Sequence, residues 1–178
     1  MAFEVTKVYL ERFPAMRLIG LRYTNDDRDG GGGFGTQWGE WMNGDLIGVL
    51  KNDVGIAPFD DSPLGLMTMR GDGSNFTYWI GLFFPAGTKV PNGYEYLDLP
   101  ESNIGTGWIR GPMEELFGGP PHEAVCKRLG EENLGRHRTD IAAPGSDTYC
   151  FFERYHAERF DVPEENGYVT LDYGNYFV

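Results

Sequence analysis

Cysteine is scarce in this chain: Cys126 and Cys150 are the only two. Two thiols build no disulfide framework. One falls in a helical stretch and the other in an apolar strand, so both read as free, buried or half-buried thiols. Basic residues are also few, with 15 lysines and arginines against 27 acids and a formal charge of −12. That field repels phosphate backbones, which argues against direct DNA or RNA binding; it also disfavours anionic membranes and favours cationic partners. Long hydrophobic runs are missing, and the opening MAFEVTKVYLERF has no apolar signal-peptide core. A soluble cytoplasmic protein is expected.

The common catalytic signatures are missing as well. There is no HExxH and no CxxC. His122, His137 and His156 read as scattered, without ligand-like spacing to one another or to the cysteines, so no metal and no cofactor is expected. No GxSxG elbow is present, and Ser102 and Ser146 sit in turn-like context. Cys150 and His156 share a strand face but lie about 20 Å apart at about 3.3 Å per residue, too far for a nucleophile and its base. The run GGGGFG at 30–35 has no following GK[ST] and reads as a flexible loop rather than a phosphate cradle.

What is abundant is apolar and aromatic side chain. Hydrophobic residues make up 40% and aromatics 15% of 178 residues, enough for one well-filled core. Period-2 alternation predicts two extended pieces over 3–23, hinged at Pro14. Trp38, Trp41 and Met42 at helical spacing predict a helix over 36–50 with Thr36 as its N-cap, weakened by glycines 39, 44 and 48. Extended segments are expected at 66–70 and 76–84, with loops at 52–63 and 85–93. The second half repeats this order. Strands are expected at 94–99 and 104–109, and one helix broken by GGPP, or two short ones, over 112–129. A polar loop at 131–147 then precedes strands at 149–155 and 168–178. The expectation is one domain over 1–178, made of two β-α-β-β units at about 3–85 and 93–178. The fold class is α+β, with helices on one face of mixed or antiparallel sheet and a groove between the halves suited to a small molecule.

One strand carries the chemistry. In TYCFFERY, alternation puts Tyr149, Phe151, Glu153 and Tyr155 on one face and Cys150, Phe152, Arg154 and His156 on the other. Glu153 is thus a carboxylate among rings. It is either paired or edge-exposed, or it sits in a dry pocket. There it would hold a cationic ligand, with ring contacts worth about 0.5–2 kcal/mol each, or move a proton with a raised pKa. Asp172 in the last strand is the second acid of interest. Trp38 and Trp41 read first as core, with one of them as a pocket wall in the functional reading.

Taken together, RFPAMRLIGLRY, TQWGEWM, YWIGLFF, GYEYLDLPESNIGTGWIRGPMEEL and FFERY resemble, in order and spacing, the GyrI-like small-molecule-binding family. This is the effector-binding module of AraC- and MerR-type regulators, also found as stand-alone proteins. The resemblance spans nearly the whole chain and implies a pseudo-twofold pair of β-α-β-β units with a ligand groove between them. It implies that the acid of the f-E-x-Y strand, here Glu153, lies at the groove floor beside Tyr155 and pairs with cationic aromatic ligands. It further implies aromatic walls, for which Tyr78, Trp79, Trp108 and Tyr173 are candidates, with Phe151 as a supporting ring. Ile104 stands where the family has a tyrosine. With no helix-turn-helix segment, a stand-alone binder of hydrophobic or cationic small molecules is expected. Two alternatives stay open: a hydrolase of cyclopropanoid toxins using Glu153 to activate water, and an acidic inhibitor of a basic DNA-acting enzyme such as gyrase. Homodimerisation is left open.

Overall fold

The computed structural model describes residues 3–141 and 147–177; Ser146 and part of the 131–147 loop lie outside them. Alternating apolar residues on either side of Pro14 form β1 (Glu4–Phe13) and β2 (Met16–Tyr23), with the proline, which has no N–H, at the corner. The remaining strands are β3 (Leu64–Arg70), β4 (Thr77–Pro85), β5 (Glu95–Leu99), β6 (Ser102–Gly111), β7 (Thr148–Arg154) and β8 (Val169–Phe177). Ser102 opens β6 and donates to the Phe177 carbonyl at 3.0 Å, a strand-end contact.

The helices differ in detail from expectation. The predicted helix over 36–50 is two, α1 (Gly35–Asn43) and α2 (Leu46–Val54). The break falls at Gly44-Asp45, where Asp45 takes a left-handed φ of 48°. Thr36 is not the N-cap. The Asp29 carboxylate instead accepts from the amides of Gly35 (2.8 Å) and Thr36 (3.4 Å), which satisfies donors of the first turn from a distance. Further on, α3 (Gly119–Glu131) begins inside GGPP rather than being broken by it. A proline in the first turn loses no helical hydrogen bond.

Among the described residues, eight strands form one sheet in the order β1-β6-β8-β7-β3-β4-β2-β5, with every ladder antiparallel. The order is palindromic. From rim to centre, each arm holds a first, a second, a fourth and a third strand, so a pseudo-twofold passes between β3 and β7. Each arm takes its rim strand from the other half of the chain: β1 pairs with β6, and β5 pairs with β2.

The two sheet faces have separate cores. On one, Ile19, Ile80, Leu82, Phe84 and Leu171 lie under Trp41, Leu50, Val125 and Leu129 of the three helices. Gly107 lets α3 settle on β6, because a Cβ there would meet Val125 Cγ1 at 2.4 Å. On the other face, Phe13, Leu18, Leu64, Phe83, Phe152 and Tyr176 cluster. In a flat sheet β1 and β4 would stand about 24 Å apart at about 4.8 Å per strand. Phe13 and Phe83 nevertheless touch, with centroids 6.0 Å apart, so the sheet curls toward this face. Among the described residues no helix is long and apolar enough to cross a membrane.

Candidate functional site

The helical face is not fully covered. Over the central β3–β7 seam, between α1 and the start of α3, lies a cavity of about 920 Å³. Strand alternation decides what faces it. Tyr149, Phe151, Glu153 and Tyr155 all line it from the β7 side; Met67 and Met69 line it from β3 and Tyr78 from β4. Trp38 of α1 forms one wall, its ring 4.6 Å from that of Tyr155. Phe34 stacks on Tyr78 at 4.2 Å with planes 4° apart, and His122 of α3 stacks on Phe151 at 3.8 Å. Phe117 and Phe160 close the far side, with Phe160 edge-on to Tyr155 at 4.9 Å. Met and aromatic side chains at this density make an apolar, adaptable lining.

Glu153 is the floor. It is 6% exposed, and among the described residues no lysine or arginine pairs with it. Its partners are three phenols. Tyr155 Oη donates to Oε2 at 3.0 Å and Tyr78 Oη donates to the same oxygen at 3.3 Å. Tyr173 Oη lies 3.1 Å from Oε1 and 2.9 Å from the Leu116 carbonyl, and its single proton serves one of the two. Trp38 Nε1 donates to Tyr78 Oη at 2.8 Å, which fixes that phenol's proton toward the carboxylate. Burial pushes the Glu153 pKa above the ordinary carboxylate value, against the lowering effect of the three hydroxyls. The three phenols are raised in turn, by burial first and by the nearby carboxylate second. A glycine makes the arrangement fit. At Gly65, the cross-strand partner of Glu153, a Cβ would stand 2.2 Å from Tyr78 Oη.

The other residues singled out in the sequence fall into three places. Tyr173 lies below the cavity wall, behind Glu153 and the His122 ring, whose centroid is 5.5 Å from its own. Trp41 is 1% exposed in the core, its Nε1 donating to Tyr23 Oη at 3.0 Å, and does not line the cavity. Trp79 and Trp108 are on the opposite face of the sheet: Trp79 packs in the second core, and Trp108 lies beside Tyr9 and under Arg159. Strand parity is the reason, since Tyr78 and Trp79 are consecutive and must point apart. Asp172 is on that face too, held by Arg154 at 2.9 Å and Arg159 at 2.7 Å. It is the buried acid with cationic partners; Glu153 is the one without.

Sequence reading missed Phe34, Phe76, Phe117, Phe160 and His122 as lining residues. Phe34 and Phe117 sit in loops and Phe160 in a single π-helical turn, where no strand or α-helical period marks the inward side, whereas Phe76 heads the expected 76–84 strand with the parity of Tyr78. The glycine loop at 30–35 does border the cavity, but its amides are already used. Asp29 Oδ1 accepts from Gly31 and Gly33 at 3.0 Å each, so the loop is folded around its own carboxylate rather than open to a phosphate. His122 and His137 are not scattered, although His156 stands apart from them. His122 and Cys126 are four apart on α3, hence on one helix face, and His137 folds back to bring all three ligand atoms within 4.8 Å of one another. The signal present in the sequence was H-x-x-x-C.

No protein-family model matches the sequence, and no curated protein matches it. Solved structures do. A structure of SAV2435 bound to tetraphenylphosphonium is similar with a TM-score of 0.55 at 16% identity, covering 97% of this chain and 94% of that one. The EcmrR C-terminal domain gives 0.57 at 9% identity, covering 97% of each chain. An integron cassette protein from the mobile metagenome of Vibrio cholerae gives 0.51 at 12% identity, covering 99% of each. The chain thus shares the α+β fold of these structures over nearly its full length.

Proposed function

We propose that this protein binds a cationic, aromatic small molecule in the cavity over the β3–β7 seam, with Glu153 as the counter-ion. One observation carries the reading: a carboxylate buried at the floor of an aromatic cavity with no cationic partner among the described residues. A buried acid without a cation is costly to ionise. Empty, the site favours the protonated form of Glu153, in which Oε1–H donates to Tyr173 Oη and Tyr173 Oη–H donates to the Leu116 carbonyl. A cation entering the cavity reverses the preference. Glu153 ionises, Tyr173 turns its hydrogen from the Leu116 carbonyl to Oε1 while Tyr155 and Tyr78 keep donating to Oε2, and the rings of Trp38, Tyr155 and Phe34 surround the positive charge. The tetraphenylphosphonium bound by the similar SAV2435 structure is a ligand of this chemical class.

The test uses a pair of ions of one shape and opposite charge, tetraphenylphosphonium and tetraphenylborate, titrated calorimetrically. The cation is expected to bind and the anion not. Glu153→Gln should weaken the cation at least about tenfold, or about 1.4 kcal/mol. Cation binding should release a proton, and affinity should rise with pH until Glu153 is ionised in the empty protein. Equal affinity for the two ions, or an unchanged Kd in Glu153→Gln, would end this assignment.

A further inference from the structure

We infer that His122, Cys126 and His137 form a metal site for a borderline transition ion, with zinc(II) the best match. The Sγ of Cys126 lies 3.4 Å from His122 Nε2 and 3.5 Å from His137 Nε2. Zinc–sulfur and zinc–nitrogen bonds of about 2.3 and 2.05 Å at a tetrahedral angle put sulfur and nitrogen about 3.6 Å apart. The observed spacing therefore nearly matches a coordinated set. The three ligand atoms lie within 4.8 Å of one another, so the two imidazoles need only close slightly to share an ion. Among the described residues the buried Nδ1 of His137 has no hydrogen-bond partner, so no polar contact at that nitrogen opposes the shift.

A fourth ligand is in place. Asn175 is fully buried, and its Nδ2 donates to the Gly105 carbonyl at 3.1 Å, which leaves Oδ1 facing the cluster. That oxygen is 2.7 Å from His122 Nε2 and 3.6 Å from Cys126 Sγ. In the empty site His122 donates to it from Nε2. On metal binding His122 carries its proton on Nδ1 instead, and the Cys126 thiol gives its proton to solvent. One thiolate, two neutral imidazoles and a carboxamide oxygen then complete a four-coordinate set. Two imidazoles and a thiolate select zinc or copper over magnesium or calcium.

The same residues do not make a Cys-His-Asn nucleophilic triad. Cys126 and Asn175 both meet the Nε2 of His122, so that ring cannot hold the asparagine with one nitrogen while taking the thiol proton with the other. Burial also holds the thiol at a pKa of about 11, the wrong direction for a nucleophile.

The experiment titrates cobalt(II) into the full chain with its thiols kept reduced by a phosphine. Wild type should give one equivalent of binding, a thiolate-to-cobalt charge-transfer band and the intense visible bands of a four-coordinate ion, all removed by zinc. Cys126→Ser should lose the charge-transfer band. His137→Ala should weaken cobalt at least tenfold with its circular dichroism unchanged. Cys150→Ala should retain the full signal, since that thiol lies on the other sheet face. Zinc should raise the melting temperature of wild type and not of Cys126→Ser. Absence of the charge-transfer band at saturating cobalt, or a band that survives Cys126→Ser, overturns the site.

Discussion

Glu153 and Asp172 are both buried acids, and they show how neighbours decide what a carboxylate is for. Asp172 meets two guanidiniums and is finished as a structural ion pair. Among the described residues Glu153 meets only hydroxyls, so its ionised form is left short of positive charge in the empty protein. The sign of the resulting pH effect follows. The folded pKa is raised above the unfolded one, so the folded state holds the proton more tightly. The contribution to stability is full below the unfolded pKa and is lost as pH rises through the folded one. Melting wild type and Glu153→Gln side by side from acid to neutral pH should show wild type losing ground to the variant as pH rises, with Glu153→Gln at least as stable near neutrality. A constant difference between the two across that range would contradict a raised pKa. Stability would then be traded for a site that waits for a cation.

Among the elements, β7 was the most legible. Its alternation alone groups Tyr149, Phe151, Glu153 and Tyr155, and all four face one cavity in the structure. Parity on β4 was equally available but went unused, and it separates Tyr78 from Trp79. The helices were less legible. Gly44-Asp45 splits one apolar stripe into two helices, and within the first of them Trp38 faces the cavity while Trp41 faces the core. No local signal distinguishes those two tryptophans, because the choice rests on where the glycine loop anchored by Asp29 sets the start of α1. Phe34, Phe117 and Phe160 were illegible for a simpler reason: two loops and one π-helical turn carry no strand or α-helical period, whereas Phe76 shared the parity of Tyr78. His122 and Cys126 stood at helical spacing, yet their third partner, His137, arrives by a turn that local pattern does not encode. Between strands, Gly65 is the position most exposed to change. Gly65→Ala should displace Tyr78 and cost about 1–3 kcal/mol in denaturant melts. It should also weaken tetraphenylphosphonium binding. A variant that melts and binds like wild type would show that Tyr78 can yield without consequence.

For the whole molecule, the palindromic strand order matters more than any single contact. The cavity straddles the seam between the two arms, with β3, β4 and α1 on one side and β7 and α3 on the other, so neither half holds a site by itself. The exchanged rim strands add a second consequence, which concerns assembly. A chain cut in the turn after β4 yields two fragments, 1–89 and 90–178, and each carries a rim strand whose partner lies on the other piece. Alone, each would expose the seam edge of its central strand, β3 or β7, beside an unpaired rim strand, an invitation to aggregate. Mixed, they should find one another and refold into a single cooperative unit that binds tetraphenylphosphonium. Independent cooperative melting of either fragment would refute this. Such a pair would be a split receptor whose two parts are fastened by strands each has lent to the other.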